Sequence, residues 1–541
     1  MLNGPSGPGL PSVPAIDEWL PLDHWDTAPI LDSPLDSGLI ELLQAGWAQV
    51  LLCIAAALPL MWPHMPLLTD LGGHLGRFAV QVDGGSSTAL RQWYGFHWTV
   101  IPNLGTDLLM QVLAPHMGLE PALKFVVVTI VVLQAGGFLA LARVVHGHVP
   151  PTALLALPLV YGYPFQYGFL NFTLCTALGT WALALWLVMD RPALRGRRWL
   201  AFVPIACALW VCHLEGWGLF CIMAAGCELA NWREQGLEWR DARLGSVAPL
   251  SCLVIPCLLF AFWPHAEGPR GETGEWFNII AKLGDLVMVV RDRWGVWDVA
   301  SALLLAGMIG WTWRARSFER HAGLALAATL AGAAFVLVPK HLGGTSFIDM
   351  RLVPMIMAIA LIAVRPRDDT PRRVVELLAL VALVFTGARF IGNAASMAMF
   401  DRQLTQDLTV LDAVPRNALL VTLTLKPCVD NDPWLHERRT HLAGYALARR
   451  HAFANDQWAM AGGQLLRVHA PAMGAFTGDP SQTGYLGTCR GKPGVTDVVA
   501  TVPHAVDYLW IIENGVAQDL AGWHSIRKSS GSVLYTRDPV S

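Results

Sequence analysis

Residues 47–78 read "WAQVLLCIAAALPLMWPHMPLLTDLGGHLGRF", and the two halves of this stretch differ in kind. The first half, through Trp62, is an apolar run broken only by Gln49 and Pro59. With the few residues before it, it approaches the roughly 20 apolar residues that a spanning helix needs. In the second half an acid, an imidazole and a guanidinium, at Asp70, His74 and Arg77, arrive within two helical turns, with glycines between them. Either a membrane helix surfaces here into an ordinary polar loop, or this is the edge of a reactive site. The decision depends on what the rest of the chain places around it.

Of the 541 residues 54% are hydrophobic and only 15% charged, against about 25% charged in an ordinary soluble domain. That deficit, spread over many long apolar runs, defines a polytopic α-helical membrane protein. The net charge of −3 offers no surface for nucleic acid, and the 23 tryptophans suit a chain with many belts at headgroup depth. Residues 1–43 are rich in Pro and Gly and carry acids such as Asp17, Glu18, Asp23 and Asp26 with no Lys or Arg. A signal peptide needs a basic start, so this segment reads as a disordered acidic cytoplasmic tail.

Candidate spans are 44–62, 121–142, 151–168, 170–189, 199–214, 216–231, 245–263, 297–313, 321–339, 351–364 and 373–392, about 11 transmembrane helices. The segment 99–117 carries Asn103, Asp107 and two prolines and is set aside as juxtamembrane. Short loops rich in Lys and Arg stay on the cytoplasmic side. The basic connectors "RPALRGRRW", "NWREQGLEWRDAR", "RARSFERH" and "RPRDDTPRR" then share the inside with the N-terminus. The outer face receives a long first loop (63–120), the turns "YGYPFQYGFLN", "HLEGW" and "KHLGGTSFIDMR", and the loop 264–296 with Arg270, Glu272 and Glu275, read as a polar cover without an assigned role. The transmembrane module thus covers 44–392, and the tail, 393–541, follows on the outer face.

In the tail, "NALLVTLTL", "DYLWIIENG" and "SVLYTRD" read as strands bounded by turn residues, and "HERRTHLAGYALARRH" as a helix. The expectation is a soluble α/β domain on the periplasmic side. Two of the chain's ten cysteines, Cys428 and Cys489, lie there. On an oxidising side they are a candidate disulfide, with two unpaired buried thiols as the alternative. The chain has no P-loop and no strand–GxGxxG–helix pattern.

Each conspicuous polar group has a plain structural reading and a sharper one. Asp70 is a solvated loop acid or a catalytic general base. Asn103 and Asp107, one turn apart, line the polar face of an interfacial helix, or Asp107 is a second carboxylate opposite Asp70, the two sharing a divalent cation, Mg or Mn, or dividing base and positioning roles. His213 and Glu215 interrupt an apolar stretch, where ionisable groups meet headgroups or line a cavity. Lys340, His341 and Arg351 flank one outer turn with Asp349, either snorkelling to headgroups or gripping a phosphate. His74 and Arg77 are helpers to Asp70 within the same segment.

The layout resembles the GT-C superfamily of integral-membrane glycosyltransferases. The resemblance rests on "LTDLGGHLGRF", "YGFLNFTL", "CHLEGWG" and "FIDMRLVP", on a first outer loop whose residues 88–117 fit two juxtamembrane helices, and on an outer C-terminal domain. Members of the group carry a catalytic acid early in that loop, a position filled here by Asp70. The adjacent acidic pair of O-mannosyltransferases and the WWDYG-type signature of oligosaccharyltransferases are absent. The resemblance implies inverting transfer of a sugar from a polyprenyl-phosphate-linked donor to a lipid, glycan or protein acceptor of the cell envelope, at the outer face of a bacterial inner membrane. Asp70 would be catalytic, with His74, Arg77, Asn103, Asp107, His213, Glu215, Lys340, His341 and Arg351 binding substrate. A transporter or flippase of a lipid-linked saccharide, or a non-catalytic membrane scaffold, are the competing readings. A transporter would place charge deep in mid-span and break helices in paired repeats.

Overall fold

Apolar runs long enough to span a membrane fold here as helices that bury one another. The computed structural model describes residues 38–263, 273–343, 345–428, 434–459, 462–486, 489, 491–512 and 518–539. Among these, Leu119–His146, Leu170–Val188, Trp239–Phe262, Gly295–Thr312 and Arg372–Ala413 are long and apolar enough to cross a membrane. Gly46–Met61, Arg198–Cys212 and Ala322–Leu337 are shorter apolar helices, and Leu214–Glu234 and Ile348–Ile362 pack among them. This is a multi-pass membrane protein.

The count of 11 spans needs correction at 151–168, which is not one helix. It forms three short pieces, Pro151–Leu154, Leu157–Tyr161 and Tyr163–Tyr167, almost wholly buried. Proline supplies no N–H and clashes with the preceding turn, and Pro150, Pro151, Pro158 and Pro164 stand too close together for a helix to run through. Most of the expected acidic tail lies outside the described residues. Its last part is ordered, with a helix over Leu39–Gln44 and Arg372 bonded to Glu41 at 3.0 Å.

The bundle has two unlike ends. Leu119–His146 begins beside the tail, where Arg449 Nε donates to Glu120 at 2.7 Å, and ends in Arg143 and His146. At that second end His146 Nε2 lies 2.8 Å from Ile362 O, and Arg198 bonds Asp190 at 2.8 Å. The basic connectors therefore gather opposite the tail domain.

The first long loop contains the helices Leu71–Asp83, Thr88–Trp93 and Gly105–Met117. Tyr94–Phe96 pairs antiparallel with Leu466–Val468, joining this loop to the tail as a two-stranded sheet. The tail's main sheet has the order Trp523–Lys528, Ser532–Arg537, Tyr508–Ile512, Leu420–Lys426, Thr483–Tyr485. Leu420–Lys426 runs parallel to both neighbours, Leu420 facing Tyr508 and Thr424 facing Thr483. A strand buried on both faces needs a near-continuous apolar run, which "ALLVTLTL" supplies. Cys428 and Cys489 are bridged, with Cα atoms 5.3 Å apart. The helix Arg372–Leu408 runs unbroken through the expected boundary at 393, so bundle and tail share one rigid element.

Candidate active site

Asp70 stands immediately before the Leu71–Asp83 helix, its backbone N–H donating to Tyr167 O at 2.9 Å. The partner strand of chain is the broken segment 161–169. At Gly168, with φ +100°, a Cβ would stand 3.1 Å from Asp70 N and 3.2 Å from Asp70 Cβ. Only glycine lets the turn come this close in that conformation. The Asp70 side chain keeps 15% exposure, enough to meet a substrate. Burial pushes its carboxyl up to about 7. His441 and Arg351 pull against that shift, and Asp479 adds to it. A carboxylate tuned to neutrality suits a general base at physiological pH.

Three of the surrounding groups come from the tail and were not singled out from the sequence. His441 Nε2 lies 3.9 Å from Asp70 Oδ1. His441 Nδ1 lies 3.1 Å from the carbonyl oxygen of Asp456 and 3.9 Å from its carboxylate. The His441 ring rests against Trp458, centroids 4.5 Å apart. Asp456 is fully buried and accepts from Gly444 N–H at 3.0 Å and Gln457 Nε2 at 2.8 Å. The available signal was the density of ionisable groups in "HERRTHL", which a helical reading dispersed around an axis. The structure has a helix only over Ala443–Arg450. The residues before it form a strap: Arg438 donates to Gln166 at 2.9 Å and pairs with Asp292 at 2.7 Å, and Arg439 pairs with Asp407 at 2.7 Å.

The expected site residues divide into two groups. Arg351 donates to Ser346 O at 2.9 Å, pairs with Glu215 at 3.3 Å and lies 4.0 Å over the Phe169 ring. Its Nε and Glu215 Oε1 are buried without a partner among the described residues, polar atoms that a ligand would satisfy. His213 caps the Leu214–Glu234 helix, accepting from Gly216 N–H at 3.4 Å. Lys340 and His341 pair with Glu275 at 3.2 and 3.5 Å. Lys340 also lies 5.7 Å over Phe347, which packs on Tyr167 at 5.4 Å, so this hairpin adjoins the Asp70 wall.

Arg77, Asp107 and Asn103 do not join that wall. Arg77 is buried in an ion pair with Asp107, whose backbone oxygen accepts from Gln81 at 2.8 Å. Asn171 donates to Asn103 Oδ1 at 2.8 Å, and Asn103 donates to Gly463 O at 3.0 Å. His74 Nε2 faces Gly168 O at 3.2 Å, and burial with Arg77 beside it holds the imidazole well below its usual range, hence neutral. Asp107 is thus neutralised by arginine instead of facing Asp70. Among the described residues no group of three or more His, Cys, Asp or Glu is placed to hold a metal ion. The Asp70–Asp107 pair does not fit a divalent cation.

Arg351 also lines a cleft between helices, walled by Ile130, Phe138, Phe165, Phe172 and Met355. The cleft is narrow and mostly apolar, about 30 Å³, with Arg351 and Gln134 among its lining. The chain is similar in fold to ArnT from Cupriavidus metallidurans in its crystal structure bound to undecaprenyl phosphate, with TM-score 0.51 and 13% identity, covering 91% of this chain and 98% of that one. The apo-state structure of the same protein gives 0.49 and 12%, covering 91% and 97%. This is the fold that the resemblance to the GT-C superfamily implied. No family model and no curated protein sequence matches the chain.

Proposed function

We propose that the chain is an inverting glycosyltransferase of the bacterial inner membrane that uses a polyprenyl-phosphate-linked sugar. Its N-terminus is cytoplasmic and its tail domain periplasmic, and the acceptor is a hydroxyl on an envelope lipid, glycan or protein. The observation that carries the reading is a partly exposed Asp70, its carboxyl near neutrality, in the field of Arg351, whose Nε is buried without a partner among the described residues. The fold likeness to a protein crystallised with undecaprenyl phosphate supports the donor class.

In this scheme the donor's phosphate meets Arg351. Asp70 takes the proton from the acceptor hydroxyl as its oxygen bonds to the anomeric carbon. The bond from that carbon to the phosphate oxygen breaks, and its electron pair leaves on the phosphate. Arg351 stabilises that charge in a low-dielectric site, a contribution of about 10²–10³ in rate for a pre-placed donor. One base and one displacement invert the anomeric centre. No step runs through a metal ion.

The test is a transfer assay in membranes with polyprenyl-phosphate sugars. Asp70→Asn should lose about 10²–10⁴ of the rate, and Arg351→Ala should bind donor more weakly. Full transfer by Asp70→Asn overturns the assignment.

A further inference from the structure

The glycines of "LGGHLG" pack where no side chain fits, and what they pack against is the tail domain. A Cβ at Gly72 would collide with the carbonyl oxygen of His441. One at Gly73 would stand 2.5 Å from the Trp458 ring, and one at Gly76 2.6 Å from Gln457. From the other side, a Cβ at Gly444 would collide with Gly72 O. The helix that starts at Asp70 is therefore smooth along the face where the tail docks, and the closest approach puts His441 beside the acid.

The orientation of that ring is determined by its partners. A backbone carbonyl only accepts, so His441 Nδ1, 3.1 Å from Asp456 O, carries a proton and donates it there. Nε2 is left facing Asp70 Oδ1. The Asp456 carboxyl lies 3.9 Å from the same Nδ1, behind the ring. At 3.9 Å the Nε2–Oδ1 contact is within ion-pair reach, and such contacts commonly tighten once substrate is bound.

We propose that His441, delivered by the tail domain and held by Asp456, is a positioning residue for Asp70, engaging Oδ1 so that Oδ2 is presented to the acceptor hydroxyl. This rests on Asp70 being the base. The ionisable groups that act on Asp70 besides His441 are Asp479 from the tail and Arg351 from the bundle, and Asp70 in turn acts on Tyr163 and Tyr167 of the broken segment. His74, on Asp70's own helix, is neutral and turned to Gly168. The arrangement makes the site a composite of both domains, complete only when the tail is docked.

The deciding experiment follows Asp70 itself by infrared difference titration of the full chain in lipid nanodiscs. Its carboxyl band is assigned by subtracting Asp70→Asn. His441 pulls the Asp70 carboxyl down, so its removal in His441→Gln should raise the Asp70 midpoint by about 1 pH unit, and His441→Asn serves if the first variant does not fold. With a polyprenyl-phosphate sugar as probe, the same variants should lose about 10- to 100-fold in kcat, keep the donor KM and shift the acid limb of the pH profile upward. A histidine that only holds the domains together would lower the melting temperature and leave both the midpoint and the pH profile in place, which overturns the proposal. The infrared readout needs no sugar transfer. A moved midpoint without transfer supports the pairing and refutes the glycosyltransferase reading, whereas transfer with an unmoved midpoint does the reverse.

Discussion

Asp70 and Asp107 belong to the same first loop, each at the start of a juxtamembrane helix, and the fold treats them in opposite ways. Asp107 is fully buried, and Arg77, Gln81 and Asn171 all bond to the residue. Asp70 keeps a partly open face, a distant histidine and a second acid, Asp479, in its field. A buried carboxylate that is fully paired holds structure together. One that is buried and left incompletely paired has its proton affinity moved, which marks it as a candidate for proton transfer.

Three experiments press on that contrast. The largest effect belongs to Asp107→Asn, which leaves the Arg77 charge buried without its counter-ion. Breaking such a pair costs about 3–5 kcal/mol, so thermal unfolding of the purified chain in detergent should show a strongly lowered melting temperature. A melting temperature equal to wild type would erase the distinction.

Asp70→Asn should behave in the reverse sense. In the folded chain the carboxyl titrates at about 7, above its ordinary 3.8. The unfolded chain therefore releases this proton first, and burying Asp70 costs progressively more as pH rises from about 4 to about 7. The Asn variant should match wild type near pH 4 and exceed it in stability by a few kcal/mol near pH 8. Equal stability at pH 8 would mean that Asp70 is not held near neutrality.

The smallest effect sharpens the comparison. Gly72→Ala pushes a methyl into the His441 carbonyl, costing about 1–3 kcal/mol by overpacking. Transfer should fall by more than the lost folded fraction explains, because the docking face of Asp70's helix is spoiled. An alanine that leaves transfer intact would show that the close approach is not needed.

Much of the bundle was legible because apolar length is a local property: nine of the eleven expected spans correspond to single α-helices, and 245–263 is an α-helix that passes into a 3-10 helix at Ile255. The failure at 151–168 was also local: apolar content was counted while four prolines and two glycines in and beside the stretch were underweighted. Asp70 stood out as a candidate from its place after the first span, whereas the contact of Arg351 with Glu215 was not read from the sequence. Arg77 and Asp107 were misassigned because a buried ion pair and a substrate-binding pair have the same composition. Only the three-dimensional distance between them separates the two. His441, Asp456 and Asp479 were missed because the chemistry crosses from one domain to another, over a sequence separation that carries no periodicity. The strap before Ala443 was read as helix since its charges recur at helical spacing, yet Arg438 and Arg439 are spent on Asp292 and Asp407.

The smooth glycine face of the Leu71–Asp83 helix also bears on how the molecule is made. Synthesis proceeds from the N-terminus and domains fold as they emerge, so Asp70 reaches the membrane several hundred residues before the ring that partners it. During that interval His441 is absent from the face that Gly72 and Gly73 present. If Asp70 is the base, as proposed, its site is assembled only when the last large piece settles onto those glycines.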